Sequence, residues 1–201
     1  MLTNRDLEIL EWINKYKAIS VEQARYIFFK GSYEAARRRL AVLEKDRIIK
    51  SYISRATKQK VYYNEKKISD HDLYILDYLK ELKRLNCEII DIKLKPQYLS
   101  GAIIPDAFVR FKFSKYTFNT LLEVDFAHAT EELKFNTLYE KLAKECNQYP
   151  EFNNRSFILI NTKPVVQIIY NSKNYDSIYT DLKYTNLDNF LGLEQLLDSS
   201  K

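Results

Sequence analysis

Three helix starts lie within the first 32 residues of this chain. Thr3 followed by Asp6, Ser20 followed by Gln23, and Ser32 ahead of Tyr33 each place a hydroxyl where it can cap the open N–H groups of a first helical turn. Behind each cap, apolar residues recur at helical spacing. The first set is Ile9, Leu10, Ile13 and Tyr16, with Trp12 beside them. The second is Val21, Ala24, Ile27 and Phe28, and the third is Ala36, Leu40 and Leu43. Helices are therefore expected over residues 3–16, from 20, and over 32–46, with the Lys-Gly-Ser turn at 30–32 between the last two. IIKSYIS and VYYNEK follow, two β-rich runs flanking the basic segment RATKQK, and read as a hairpin. With only 3 glycines and 4 prolines in 201 residues, the remainder is expected to be regular structure joined by short turns.

The net charge of +5 is unevenly distributed. Residues 1–67 hold 16 Lys/Arg against 8 Asp/Glu, a balance of +8, and residues 68–201 hold 16 against 19, a balance of −3. This contrast divides the chain into two units with different partners. A basic unit of this size favours a polyanion such as nucleic acid. With 46% hydrophobic and 14% aromatic residues, the chain has enough apolar material for a core, which excludes disorder over most of its length. No apolar run approaches the ~18 residues of a membrane span. The opening MLTNRDLEIL has neither the basic region nor the apolar stretch of a signal peptide. Cys87 and Cys146 then read as reduced thiols of a cytoplasmic protein, and the Cys and His spacing offers no zinc site.

On a helical wheel of about 100° per residue, Glu34, Arg37, Arg38, Ala41 and Lys45 fall opposite the apolar stripe of the third helix, with Arg39 at its edge. Helix, helix, short turn, helix and hairpin over residues 2–67 resemble the winged helix-turn-helix domain. That resemblance implies a third helix in the major groove and a hairpin wing on backbone or minor groove. The DNA-binding residues it implies are Tyr33, Arg37, Arg38 and Lys45 on the helix and Arg55, Lys58 and Lys60 at the wing. Arg would grip guanine or phosphate, while the wing cations would add salt-dependent affinity. A solvated helix face and a protein-binding winged helix are the competing readings.

The second unit is expected to open with an amphipathic helix over 70–86, either its own first helix or a dimer helix. A strand near 88–94 comes next, then AFVRFKF and FNTLLEVDF joined by a four-residue SKYT turn. If Phe113 faces Phe118, paired residue numbers sum to 231, which sets Asp106 opposite Asp125 and Phe108 opposite Glu123. Asp106, Glu123 and Asp125 then share one face. Like charges so placed call for a divalent metal, a basic partner or a raised carboxyl pKa, or for simple pairing of Glu123 with the diagonal Arg110. His128 stands three residues beyond Asp125 and could join them. A helix from near Thr130, a strand at SFILINT, a segment VVQIIYN that fits helix or strand and is read as helix, and a last strand within SIYTDLKYTNL complete the expected order.

Pro105-Asp106 and Glu123-Val124-Asp125 are similar to the core of the PD-(D/E)xK nuclease superfamily. The resemblance implies Mg²⁺ ligation by Asp106 and Glu123, and with Asp125 these make the candidate metal set. It also implies a catalytic lysine, but Asp125 stands in that place, and Lys134 on the following helix is the candidate substitute. The reading therefore leans away from an enzyme. Across nearly the full chain, the order of winged helix, Pro105-Asp106-Ala107, Glu123-Val124-Asp125, Thr130-Glu131, Lys134 and Tyr139 resembles the replication-relaxation family of plasmids. A histidine relaxase is not expected, because the only histidines, His71 and His128, are far apart in sequence.

The expected fold is α+β: a winged helix-turn-helix over 1–67 and, over 68–201, an α/β nuclease-like domain with a central mixed sheet. The expected function is duplex-DNA binding, as a homodimer, by an accessory or regulatory protein of a plasmid or other mobile element, acting with replication or transfer proteins. A metal-dependent endonuclease and a transcriptional repressor are the alternatives.

Overall fold

A computed structural model describes residues 2–125, 134–153, 155–163, 183–188 and 193–198. The architecture is mixed α+β, and the chain divides into two compact units, Met1–Leu85 and Asn86–Lys201.

The first unit begins with α1 (Asn4–Tyr16), where Thr3 and Asp6 close the reciprocal capping box anticipated from the sequence. The helix stops at Lys17, whose φ of 72° turns the chain out of the helical path. A short strand the sequence did not announce, β1 (Ala18–Ser20), leads directly into α2 (Val21–Ile27), capped by the box of Ser20 and Gln23. Gly31, at a φ of 87°, takes the left-handed backbone that lets α3 (Tyr33–Lys45) follow closely, with Ser32 as its cap. The hairpin strands are β2 (Lys50–Ile53) and β3 (Lys60–Tyr63). Because β1 pairs antiparallel with β3, the hairpin becomes a three-stranded sheet of order β1-β3-β2. Ile9, Ile13, Ile19, Ala24, Leu40, Leu43 and Tyr62 meet in one core, so the first and third predicted stripes face it. In the second, Val21 and Ala24 are buried, Ile27 and Phe28 only half-buried, and Phe29, outside the predicted stripe, is the buried one.

The next helix, α4 (Asp70–Arg84), lies within this first unit, whereas the charge-based division falls ahead of it. The amide of Gln23 donates to Leu73 O at 3.3 Å and to Asp77 Oδ1 at 3.0 Å, fastening α4 to α2. Seven of its residues are buried, from Leu73 to Leu82, on more than one face. An apolar stripe demands a partner but does not say which one, and that is why the boundary was not legible.

In the second unit, β4 (Glu88–Leu94), β5 (Ala107–Phe113), β6 (Tyr116–Val124), β7 (Ile158–Lys163) and β8 (Lys183–Asp188) form one sheet in that order. The β4–β5 and β5–β6 pairs are antiparallel and the β6–β7 and β7–β8 pairs parallel, so the sheet is mixed. A π-helical turn (Lys134–Tyr139) runs into α5 (Glu140–Glu145), and α6 (Leu193–Asp198) closes the described chain. Tyr98, Phe108, Leu121, Tyr139, Leu142, Phe152 and Leu159 build the core on one sheet face. The expected helix at VVQIIYN, the start of the helix at Thr130 and His128 lie outside the described residues.

The β5–β6 register corrects the sequence arithmetic. Phe113 pairs with Tyr116 and Phe111 with Phe118, so paired numbers sum to 229 and not 231. The turn is the two residues Ser114 and Lys115, with Ser114 at a φ of 54°, and not four residues. Two-residue turns match strand twist better than longer ones. Because side chains alternate with period two, a slip of two residues keeps every side chain on its predicted face while moving it along the strand.

Candidate functional site

The outer face of α3 carries the basic residues the sequence places there. Tyr33 is 47% exposed, and Arg37, Arg38 and Lys45 are all exposed. Arg38 and Lys45 are seven residues apart and lie on one line of the helix. Arg37 points about 100° away from that line and is gripped by Glu34, through Nε to Oε2 at 3.0 Å and Nη2 to Oε1 at 2.6 Å. This bond holds the Glu34 carboxyl below its ordinary range. The same carboxylate stands 3.6 Å from Arg38 Nε. Exposed ion pairs of this kind are weak and exchange readily for a stronger anion.

Arg39 does different work. It is bound through Nε and Nη2 to both oxygens of Asp6, a fully buried carboxylate that also caps α1. The Arg39 guanidinium holds the Asp6 carboxyl well below the usual carboxylate range. The pair locks α3 to the start of α1, so the edge position read for Arg39 on the wheel is a structural one.

At the tip of the β2–β3 hairpin, Arg55 and Lys58 are exposed and Lys58 sits at a φ of 57°. The loop is closed by Ser54 N–H donating to Gln59 O at 2.9 Å and Lys58 N–H donating to Ser54 O at 3.1 Å. It is also tied to α4: Ser54 Oγ donates to Asp70 Oδ1 at 2.6 Å, and Ala56 N–H donates to Asp70 Oδ2 at 3.3 Å. Lys60 stands apart from the other predicted cations. Its ammonium lies 2.6 Å from Glu44 Oε2 and braces the last turn of α3, and this contact lowers the Glu44 pKa. Neither Asp70 nor Glu44 was singled out from the sequence, because each meets its partner only through the fold.

In the second unit, Asp106 precedes β5 and adjoins Glu123. Its N–H donates to Leu122 O at 2.9 Å, and its Oδ2 accepts from Val124 N–H at 2.8 Å. Glu123 is 5% exposed, and one of its oxygens accepts from both Lys134 Nζ, at 2.5 Å, and the Tyr139 hydroxyl. Burial raises the Glu123 pKa, and Lys134 opposes that rise. Burial also pushes the Tyr139 phenol up. Asn161 pairs with Glu123 across β6 and β7, is fully buried, and has neither amide atom hydrogen-bonded among the described residues. Sequence reasoning passed over Asn161, which looks like any polar residue within a strand.

Asp125 is buried at the end of this strand, but among the described residues no three His, Cys, Asp or Glu side chains come together as a metal-holding group. The Asp106–Glu123–Asp125 set therefore does not fit a cation held by three carboxylates. The offset for the buried charge at Glu123 is a basic partner, one of the options the sequence left open, and it is Lys134 and not Arg110. Arg110 donates instead to Asn119 Oδ1 at 3.1 Å and to Glu151 O. Comparison with protein-family models, with curated proteins and with solved structures returned no match for this chain.

Proposed function

We propose that the chain is a duplex-DNA-binding accessory or regulatory protein of a plasmid or other mobile element, acting in replication, relaxosome assembly or transfer. In this reading the first unit is a winged helix-turn-helix that binds as a homodimer, with α3 in the major groove and the β2–β3 tip on the backbone. The observation that carries it is the coincidence of Tyr33, Arg37, Arg38 and Lys45 on the open face of α3 with Arg55 and Lys58 exposed at the hairpin tip. These residues belong to a unit, Met1–Leu85, whose net charge is +7. The mobile-element setting rests on the resemblance of Pro105-Asp106-Ala107, Glu123-Val124-Asp125, Lys134 and Tyr139 to the replication-relaxation family. The second unit, a nuclease-like domain in this reading, acts as a scaffold for dimerisation or for replication and transfer proteins.

One observation favours a second reading, a metal-dependent endonuclease: Lys134 reaches Glu123 from the following helix, beside Asp106. Footprinting across a plasmid, followed by incubation of the bound site with Mg²⁺ or Mn²⁺, separates the two. The accessory protein protects a site at a replication or transfer origin and leaves the DNA intact. The endonuclease nicks or cuts it, and Asp106→Asn stops the cleavage. Protection over a promoter with loss of transcription indicates a repressor. Salt-independent binding, or an Arg37→Ala/Arg38→Ala variant that binds as tightly as the parent, defeats the DNA-binding reading itself.

A further inference from the structure

A cavity of about 410 Å³ opens between the start of α1 and the outer face of α3. Its walls include Arg5, Arg38 and Arg39, with Phe29 and Val42 as apolar surface and Asp6 within the lining. The three guanidinium groups are not equivalent. Arg39 is spent on Asp6, so that pair contributes no net charge to the opening. Arg38 is 71% exposed along its side chain, its Nε donating to Glu34 O at 3.4 Å and standing 3.6 Å from the Glu34 carboxylate, both long contacts. Arg5 is exposed, with its guanidinium carbon 4.9 Å from the centre of the Phe29 ring. This cation–π contact leaves the Arg5 N–H groups unspent, and Arg5 has no hydrogen bond or ion pair among the described residues. Two cations from two helices thus face one opening, and among the described residues the one carboxylate in its lining, Asp6, is already neutralised.

We propose that Arg5 and Arg38 clamp a backbone phosphodiester of the bound duplex. The proposal rests on the DNA-binding reading of α3 and adds to it a contact from α1. Arg38 belongs both to this cavity and to the line it shares with Lys45, so a duplex lying along that line brings its backbone to the opening. Two guanidinium forks suit the oxygens of one phosphate. The apolar wall of Phe29 and Val42 suits the adjoining deoxyribose, and the Asp6–Arg39 bond holds the two helices at the required spacing.

The test uses the full chain, a mixed-sequence duplex and a series of NaCl concentrations, with binding read by fluorescence anisotropy. Arg5→Gln is compared with Lys17→Gln, the same charge change at the opposite end of α1. A lost phosphate contact flattens the slope of log K against log salt by about 0.9. Arg5→Gln is expected to do this and to weaken binding to every sequence alike, while Lys17→Gln leaves the slope unchanged. Equal slopes for the two variants overturn the clamp. If Arg37→Ala/Arg38→Ala loses binding while Arg5→Gln does not, the clamp alone fails. If the double variant also binds like the parent, the DNA reading fails with it. A third arm compares thermal melts in inorganic phosphate and in chloride at equal ionic strength. Stabilisation by phosphate that Arg5→Gln abolishes, with an unchanged DNA slope, reassigns the cavity to a small anion and overturns the proposal.

Discussion

Asp6 does two jobs with one carboxylate, capping α1 and binding Arg39 of α3, and it is fully buried while doing so. A buried charge left without its partner costs about 3–5 kcal/mol, with the lower end expected here because Arg39 keeps 29% of its side chain exposed. Asp6→Ala should therefore lower the unfolding free energy by about 3 kcal/mol, measured by urea denaturation. The pH dependence has a definite sign. The folded Asp6 pKa is depressed, chiefly by the Arg39 hydrogen bond, so its stabilisation is complete above the unfolded value of about 4 and is lost as pH falls below it. Melting temperatures taken from pH 7 downward should drop more steeply below about pH 4 for the parent than for Asp6→Asn. Parallel profiles for the two would contradict this account.

At the scale of elements, the hairpin tip depends on a residue outside it. Asp70, in the first turn of α4, accepts from Ser54 Oγ and from Ala56 N–H and so holds the loop that presents Arg55 and Lys58. A hydrogen bond to a charged group contributes about 1.5–3 kcal/mol. Asp70→Ala should accordingly destabilise the first unit by about 2 kcal/mol and speed amide hydrogen exchange over residues 54–59. Unchanged exchange in that loop would show that the strands alone order it. The β5–β6 hairpin shows which part of an element can be read in sequence. Alternation placed Phe108, Arg110 and Glu123 on one face, as the register has them. Turn length did not follow from the segment SKYT, and it decided that Asp106 adjoins Glu123 and not Asp125.

For the whole molecule, the position of α4 sets where the first unit ends. The Gln23 amide is bonded to Leu73 and Asp77, and Tyr52 OH donates to Ile68 O at 3.1 Å, so α4 and the segment leading into it complete the fold of residues 1–67. A fragment of residues 1–85 should melt cooperatively and, in the DNA-binding reading proposed above, retain a salt-dependent affinity for duplex DNA. A fragment of residues 1–67 loses the partner of Gln23 and the anchor of the hairpin tip, and should melt at a lower temperature with a broader transition. Calorimetry and anisotropy on both fragments test this, and equal melts would restore the boundary suggested by charge alone.

Local chemistry by itself determined the helix starts, the buried stripes, the strand faces and the basic surface of the first unit. Thr3, Ser20 and Ser32 act on N–H groups within four residues, and apolar periodicity needs only the geometry of its own helix or strand. Tertiary structure decided which like-looking residues are spoken for. Arg37, Arg38 and Arg39 are consecutive and chemically identical, yet Arg39 alone meets a buried carboxylate 33 residues earlier. Lys60 is taken by Glu44, while Lys58 two positions away stays exposed. Lys134 and Tyr139, 11 and 16 residues further along the chain, both meet the one Glu123 carboxylate. Pairing at long sequence separation depends on where the chain returns to itself, and no local pattern records that.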